Sequence, residues 1–404
     1  MEYIVRFFPE ITIKTRPVRR RLIRILRRNL SLLLQRIDAS VQIKGEWDKF
    51  EISTASDDAE LLQKLEDILI STPGVGTVAR VRKTPLPDFA GILAHTLAYY
   101  GDQLPGRTFA VRCRRNGQHG FTSTDVERYV GAGILAKVNT AGVDLQNPDV
   151  VVRITILRDQ LLVVEKLSKG LGGYPLGSQD GVLSLISGGF DSAVASFQCI
   201  KRGLLTHYCF FNLGGREHEL AVKELAVYLW MKYGSSHRVK FVTVPFAEVV
   251  EQILTRVDNA QMGVVLKRMM LRAAAQVAAE LKLQALVTGE AVAQVSSQTL
   301  ANLAVIDSVT QMLVLRPLVL MDKQDIIDQA RQIGTEAFSS HIPEYCGVIS
   351  VKPTTRARAE RIQKEEENFD FSVLEQAVEN RAIQMIDKVV EGLGYRAVHA
   401  QETA

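Results

Sequence analysis

The chain has 404 residues, of which 47% are hydrophobic and 23% charged, and its formal net charge is +4. These values are those of an ordinary globular protein with two to three domains. No apolar run reaches the roughly 18 residues that span a bilayer, and no secretory signal begins the chain, so we expect a cytoplasmic protein without a membrane segment. Four cysteines at irregular spacing match neither a zinc site nor a disulfide framework.

Positive charge is concentrated near the N-terminus. No acid occurs between Glu10 and Asp38, whereas the basic residues of this stretch are Lys14, Arg16, Arg19, Arg20, Arg21, Arg24, Arg27, Arg28 and Arg36. Such a block favours an anionic partner, for which nucleic acid is the common candidate. A solvated basic helix face would give the same pattern, so charge alone leaves both interpretations open.

The first 84 residues predict a small α+β domain. EYIVRFF reads as a strand, and apolar residues then recur at helical spacing behind Pro17, which suits a first helical turn. Two short strands, a helix over LLQKLEDILI and a strand over VGTVARVRKT complete the order β-α-β-β-α-β. This order predicts a ferredoxin-like domain over residues 1–84.

A second segment runs over residues 85–167. The pattern predicts a helix, a strand over TFAVRCRR, a helix with Thr124 as its N-cap, and a hairpin whose turn lies near Arg158. Its strand arginines extend the basic character, and we select Arg112, Arg114 and Arg115, with Lys14 and Arg16, as RNA-binding candidates. The glycine-rich stretch over residues 168–181 then predicts a linker.

Residues 182–404 predict a parallel sheet. Apolar strands alternate with helices, which is typical of strand–crossover–strand units. The expected strands are VLSLIS, LTHYCFFNL, RVKFVTVPF, QALVTGEAV and MLVLRPL. Beyond Cys346 the chain becomes charged, and we expect a helical tail.

The stretch SGGFDS, residues 187–192, follows the first strand of that sheet. Gly188 and Gly189 allow a sharp turn and leave room for a phosphate, which would face backbone N–H groups and the positive end of the next helix. Ser187 and Ser192 offer hydroxyl donors, and Asp191 suits a cation or a structural cap. The stretch is neither a Walker A loop nor a G-x-G-x-x-G motif. A plain strand–helix turn capped by Asp191 is the structural alternative.

SGGFDS resembles the pyrophosphate-binding loop of the ATP pyrophosphatase superfamily, whose members cleave ATP to AMP and pyrophosphate. With HYCFFNLGG, VTGEAVAQVSSQTL and IPEYCGVIS, the whole chain is similar to the tRNA 4-thiouridine synthetase family. The resemblance implies an α/β fold in which a parallel-sheet ATP pyrophosphatase (PP-loop) domain over 182–404 follows ferredoxin-like and THUMP α+β domains. The THUMP domain, an RNA-binding module, would cover 85–167.

The resemblance also implies site residues. Besides the turn, the implied nucleotide contacts are Leu185, Ile186, Lys267, Gly289 and Gln298. Asp191 is implied in adenylation, and magnesium is expected with ATP. Lys323 is a further catalytic candidate, although a surface charge at a helix start would explain it equally well. The alternatives of a surface lysine for Lys267, a loop-stabilising amide for Gln298 and a simple turn for Gly289 stay open.

Sulfur transfer needs a sulfur nucleophile, which a persulfide supplies. A second thiol can release the sulfur by forming a disulfide, and the resemblance assigns this redox role to Cys346. Cys199 and Cys209 lie in apolar patterns and read as core thiols. Basic neighbours would lower the pKa of Cys113, but strand alternation explains that residue as well. Longer family members carry a C-terminal rhodanese-like domain that bears the persulfide, and we expect a form without it, which is either a truncated form or one to which another protein delivers sulfur. A cysteine desulfurase, a separate rhodanese-like protein and the thiamine sulfur-carrier protein are then expected partners besides tRNA.

Two other functions fit parts of the sequence. An amide-forming ATP pyrophosphatase acting on a small carboxylate fits SGGFDS but leaves the basic N-terminal half unused. A nucleic-acid-binding module with an inactive nucleotide site fits the arginines but not the intact loop. The sequence leaves the oligomeric state open, with a homodimer as one state to test.

Overall fold

The computed structural model describes residues 1–45, 47–342 and 349–394, which divide into two compact units. Unit 1 covers Met1–Gly172 and unit 2 begins at Gly173. The division falls inside the glycine-rich stretch predicted as a linker. No helix in the described ranges has both the length and the apolar character to cross a bilayer.

The described part of unit 1 is built on one eight-stranded sheet with helices packed on it. Its strands are β1 (Glu2–Phe7), β2 (Gln42–Lys44), β3 (Lys49–Ser53), β4 (Val75–Pro85), β5 (Thr108–Asn116), β6 (Gly142–Val143), β7 (Val150–Leu157) and β8 (Gln160–Lys169). Its helices are α1 (Pro9–Thr12), α2 (Arg16–Gln35), α3 (Ala59–Ser71), α4 (Phe89–Tyr100) and α5 (Ser123–Lys137).

The strand order is β2-β3-β1-β4-β8-β7-β5-β6. The first four strands have the order and antiparallel pairing of a ferredoxin-like sheet, as the sequence predicts. β4 then pairs antiparallel with β8, so the two N-terminal segments share one sheet. The boundary at residue 84 stays a prediction, because the shared sheet joins the segments on both sides of it.

Helix α2 shows why the basic block forms a helix. Leu22, Leu26 and Leu30 are buried at three- to four-residue spacing and lie on the face turned to the sheet, while most of the arginines lie on the exposed face. Pro17 occupies the first turn, where its missing N–H costs no helical hydrogen bond. The predicted amphipathic helix is confirmed.

The N-cap predicted for α5 is wrong by two residues. Thr122, not Thr124, precedes the helix, and its hydroxyl accepts from the backbone N–H of Asp125 at 3.2 Å. The Asp125 carboxylate accepts in return from the Thr122 N–H at 2.7 Å. This reciprocal capping box needs the residue three positions before the acid, which Thr122 is and Thr124 is not.

Unit 2 is a mixed sheet with helices. Its strands are β9 (Gly181–Leu185), β10 (Leu205–Asn212), β11 (Lys240–Pro245), β12 (Ala285–Val287), β13 (Leu313–Leu315) and β14 (Ala382–Met385). Its helices are α6 (Phe190–Lys201), α7 (Gly215–Leu229), α8 (Ala247–Arg256), α9 (Met262–Glu280), α10 (Leu300–Asp307), α11 (Lys323–Ile333), α12 (Glu336–Ser339), α13 (Ala359–Glu366), α14 (Phe371–Glu379) and α15 (Ile386–Gly392).

The strand order β13-β12-β9-β10-β11-β14 places the predicted parallel strands side by side. The described part of the predicted helical tail contains three helices and, in addition, β14, which pairs antiparallel with β11 at the sheet edge. A strand of four residues without apolar–polar alternation was too weak a signal to find it. Strand β9 pairs on one side with β10, the next strand in sequence, and on the other side with β12, which comes later in the chain. The crevice between the carboxyl ends of β9 and β12 is therefore the topological switch point, where such sheets bind ligands.

Candidate active site

The turn after β9 requires glycine. Gly188 has φ +93°, a left-handed conformation that side chains rarely adopt, and a Cβ placed there would lie 2.5 Å from Cγ2 of Ile342. Gly189 is the N-cap of α6, so the chain passes at once from the strand into the helix. Leu185 ends the strand, and the following Ile186 is buried. The predicted turn is thus a bare backbone bend in front of a helix N-terminus.

The two serines of the motif hold the bend together. The Ser192 hydroxyl donates to the carbonyl of Gly189 at 3.0 Å and accepts from the backbone N–H of Ser187 at 3.2 Å. The Ser187 hydroxyl lies 3.3 Å from that of Ser192. Ser192 is buried and Ser187 is exposed. Ser192 therefore shapes the turn from inside, while Ser187 is open to a ligand.

Asp191 caps nothing, because α6 has no side-chain cap. Its carboxylate instead accepts from Lys323 Nζ through Oδ1 at 2.7 Å and from Gln294 Nε2 through Oδ2 at 2.7 Å. The plain capped turn is therefore excluded. Two catalytic candidates separated by 132 residues in sequence meet in one ion pair beside the bend, and Lys323 is not an isolated surface charge.

Lys267 lies in an ion-pair network. Its ammonium donates to Oε1 of Glu290 at 2.8 Å, and Arg316 Nε donates to Oε2 of the same carboxylate at 2.8 Å. The guanidinium of Arg316 also makes two bonds to Asp307. Burial favours the neutral acid, but the charges of Lys267 and Arg316 outweigh it and keep the pKa of Glu290 below its usual value.

Gly289 lies where the backbone after β12 passes very close to the backbone of α6. A Cβ there would lie 2.6 Å from the backbone carbon of Asp191 and 2.7 Å from the N of Ser192. The missing side chain thus lets the segment after β12 press against the first turn of α6. This contact brings the two sides of the crevice together.

The residues present fit a nucleotide. A Cβ at Gly188 has no room beside Ile342, so the bend stays bare backbone, and the Oε1 atom of Gln298 is buried without a hydrogen-bond partner among the described residues. Gln298 is only 8% exposed, so this acceptor is costly to leave unsatisfied. A buried acceptor of this kind suits the amino and hydroxyl donors of a nucleoside. No cluster of three or more metal-ligating side chains occurs in the described part of the chain.

The cysteines divide by position. Cys346 lies outside the described residues. Burial raises the pKa of Cys113 to about 11 and that of Cys199 and Cys209 to about 12. The pKa of Cys113 is therefore not lowered by its basic neighbours, because its side chain points into the core of unit 1 with Phe109 and Val111.

The basic candidates in unit 1 occupy different surroundings. Arg112 and Arg114 are exposed and two residues apart on β5, so they share a face of the strand. Both line a cavity of about 950 Å³ over the sheet, together with Arg6 and Arg153. Arg115 donates to the carbonyl of Gly117 at 3.2 Å and lies beside His119. Lys14 and Arg16 are exposed at the start of α2.

Sequence reasoning missed Glu290, Gln294 and Arg316. Glu290 follows Gly289 at the end of a buried strand, and an acid at that place is a signal that could have been used. Gln294 and Arg316 carry no such signal. Their roles depend on loops that meet only in the folded chain.

Fold and site define a THUMP-containing protein with a nucleotide-binding α/β domain. The THUMP domain model matches residues 92–164, and the model described as thiamine biosynthesis protein (ThiI) matches residues 177–371. A tRNA sulfurtransferase of Pseudomonas aeruginosa (strain UCBPP-PA14) is 57% identical over 94% of this chain and 78% of its own length. One from Saccharophagus degradans (strain 2-40) is 54% identical over 97% and 81%. The chain therefore belongs to the tRNA sulfurtransferase (ThiI) family.

A solved structure supports the assignment. The crystal structure of a 4-thiouridine synthetase–RNA complex with bound ATP matches with a TM-score of 0.81 and 27% identity, over 95% of this chain and 99% of that one. The similarity covers both units. The α/β architecture expected from the sequence is confirmed.

Proposed function

We propose that the protein is an ATP-dependent sulfurtransferase that converts a uridine of tRNA, at position 8, to 4-thiouridine. The uridine O4 attacks the α-phosphorus of ATP, the bond to the β-phosphate breaks, and pyrophosphate leaves. A persulfide sulfur then attacks C4, and AMP leaves with the original O4. The observation that carries this proposal is the glycine bend with its Asp191–Lys323 pair, in a chain that is 57% identical to a tRNA sulfurtransferase.

Each part of the site has a proposed role. The bend at Gly188 and Gly189 and the N-terminus of α6 bind the leaving pyrophosphate. Lys323 and Lys267 bring positive charge to the phosphates, Leu185 and Ile186 contact the nucleoside, and Gln298 accepts a hydrogen bond from it. Magnesium, held by Asp191 and the phosphates, would neutralise the charge that develops on the leaving group.

Cys346 is the proposed redox cysteine. After the persulfide sulfur of a donor protein has bonded to C4, the Cys346 thiolate attacks the donor's remaining sulfur. Formation of this disulfide releases 4-thiouridine. The two electrons that reduce the transferred sulfur come from the donor's remaining sulfur and from Cys346, which become the disulfide. The high pKa values of the three buried cysteines support this choice, because a buried thiol supplies little thiolate near pH 7. We propose a cysteine desulfurase as the donor of persulfide in the cytoplasm, directly or through a rhodanese-like protein.

The exposed arginines of unit 1 form the proposed tRNA surface. Arg112 and Arg114 share one face, and Arg115, Lys14 and Arg16 are further candidates. Phosphate contacts of this kind fix the position of the RNA without reading its sequence. The target base would then be selected by tRNA shape and by the active site.

Release of labelled pyrophosphate from ATP tests the proposal. We expect release to require unmodified tRNA and to fail with the same tRNA carrying cytidine at the target position. Release that needs a small carboxylate instead of RNA would establish the amide-forming alternative. No release with either substrate would favour a binding module. A Cys346→Ser variant should keep pyrophosphate release and lose 4-thiouridine, which mass spectrometry of digested tRNA detects.

A second role in thiamine synthesis is favoured by the family model, which is described as a thiamine biosynthesis protein. We propose that the same sulfur relay supplies the thiamine sulfur-carrier protein. The carrier should gain a C-terminal thiocarboxylate, a mass increase of about 16 Da, when incubated with desulfurase, cysteine, ATP, this protein and an enzyme that adenylates the carrier's C-terminal carboxylate, so that AMP leaves with the oxygen as sulfur enters. An unchanged carrier mass would remove this role and leave tRNA thiolation intact.

A further inference from the structure

Gln294 contacts the carboxylate on which the proposed chemistry depends. Its Nε2 donates to Oδ2 of Asp191 at 2.7 Å, while Lys323 donates to Oδ1 at the same distance. The two donors therefore bind different oxygens of one carboxylate. Because a carboxylate rotates easily about its last bond, a donor on each oxygen fixes the plane of the group.

The segment that carries Gln294 is held in an unusual conformation. Ala293 has φ +66°, in the left-handed region that is unfavourable for a residue with a Cβ. Two neighbouring backbone N–H groups hold this segment in place. That of Val292 donates to the carbonyl of Val319 at 2.9 Å, and that of Ala293 donates to the carbonyl of Gln298 at 3.0 Å. These bonds place Gln294 opposite Asp191 and tie it to the segment of Gln298.

Only one end of the Gln294 amide has a hydrogen-bond partner among the residues that the structure describes. Its NH₂ group must face Asp191, since an ionised carboxylate only accepts hydrogen bonds. Its Oε1 atom is then buried without a hydrogen-bond partner in the part of the chain that the structure describes. An apolar side chain of the same size would avoid this cost. A strained backbone and an unsatisfied acceptor in one short segment beside the reaction centre indicate a role in function.

We propose that Gln294 is a positioning residue that orients the Asp191 carboxylate for the adenylation step. The proposal rests on the proposed function, because it gives Gln294 a role only if Asp191 acts in pyrophosphate release. Gln294 acts through Asp191 and is not itself assigned to substrate. Its effect should therefore fall on turnover and leave ATP affinity nearly unchanged.

Replacing Gln294 by Met or Ala tests this role in steady-state pyrophosphate release with saturating tRNA. Loss of one hydrogen bond to a charged group should lower kcat about 10- to 100-fold, with KM for ATP changing less than about threefold. The Met variant keeps the volume of the side chain, so it remains informative if the Ala variant folds poorly. Gln324→Ala is the matched control, because Gln324 lies on α11 next to Lys323 but donates to Asp328. It should keep wild-type kcat.

The split between kcat and KM for ATP is a readout that a merely structural role would not move. A variant that only folds poorly lowers the amount of active enzyme, and the kcat of the fraction that does fold then stays at the wild-type value. Titration of the active sites with ATP gives the concentration of folded enzyme to which each kcat is referred.

Two outcomes separate the two proposals. If the wild type shows RNA-stimulated release while Gln294→Met retains its kcat, the positioning role is wrong and the proposed function stands. The positioning role is equally wrong if Gln294→Met raises KM for ATP as much as it lowers kcat. If the wild type releases no pyrophosphate with tRNA, the proposed function fails, and the role of Gln294 fails with it.

Discussion

Basic side chains have opposite surroundings in the two units. In unit 1, Arg112 and Arg114 are exposed on one face of β5. In unit 2, Lys323 and Lys267 each lie 2.8 Å or less from a carboxylate, and Lys267 is only 20% exposed. Unpaired exposed cations attract a polyanion from a distance, whereas a cation paired with a carboxylate keeps a fixed geometry, even at Lys323, whose side chain is 42% exposed. We infer from this difference that unit 1 gathers the RNA and unit 2 arranges the reacting atoms.

The largest expected effect is at Asp191. Replacing it by Ala leaves Lys323 without its partner and removes the carboxylate of the reaction centre. Pyrophosphate release should fall about 100- to 1000-fold, as when a charge-stabilising group is removed from an active site. The Asp325→Ala variant, which removes an exposed acid from α11, is the control. Equal losses in both variants would show that negative charge around Lys323 in general, and not its pair with Asp191, matters.

Removal of the Glu290 charge should destabilise unit 2. Glu290→Gln leaves Lys267 and Arg316 buried with one anion fewer, which costs about 3 kcal/mol of unfolding free energy. Urea unfolding at pH 7 measures it through the buried Trp230, in a Trp47→Phe background that removes the other tryptophan. A change below about 0.5 kcal/mol would contradict a tightly coupled pair.

The same variant has an expected pH dependence. Because the folded pKa of Glu290 is lowered from 4.5, its charge stabilises the folded state fully above that value. This stability is lost as the pH falls through the folded pKa. The difference between wild type and Glu290→Gln should therefore be constant from pH 6 to 8 and shrink below the unfolded value. A difference that grows with acid would reverse the assigned sign.

The RNA surface of unit 1 should respond to salt. Replacing Arg112 and Arg114 by Ala should weaken tRNA binding about tenfold and reduce the slope of log affinity against log salt by about 1 to 2. The control removes two paired cations, Arg82 and Lys64, whose partners are Glu165 and Glu60. Filter binding at several salt concentrations distinguishes the two. An unchanged slope in the first variant would move the RNA surface elsewhere.

The smallest effect is expected at the start of α5. Thr122→Ala breaks the capping box and should cost about 1 kcal/mol, whereas Thr124→Ala should change stability by less than about 0.5 kcal/mol. Far-UV circular dichroism during urea unfolding measures both. A larger loss for Thr124→Ala would restore the cap predicted from the sequence.

Local patterns in the amino-acid sequence were sufficient to predict most elements and the class of site. The spacing of hydrophobic residues predicted the order of elements in a ferredoxin-like sheet and the parallel sheet, and the positions of glycines predicted the bend at residues 187–192. Each of these features depends on neighbours within a few residues. Asp191 and Lys323 were both selected, and the structure joins them. The short β14 and the cap at Thr122 were not predicted, since a strand of four residues without alternation and two nearby threonines are weak local signals.

Which side chains meet could be learned only from the folded chain. The Lys323–Asp191 pair, the Lys267–Glu290–Arg316 network and the contact of Gln294 with Asp191 join residues from 23 to 132 positions apart. Burial also raised the pKa of Cys113, which its sequence neighbours would have lowered. Local sequence specifies backbone conformation, but hydrogen-bond partners and solvent exposure depend on loops that come together only when the sheet assembles.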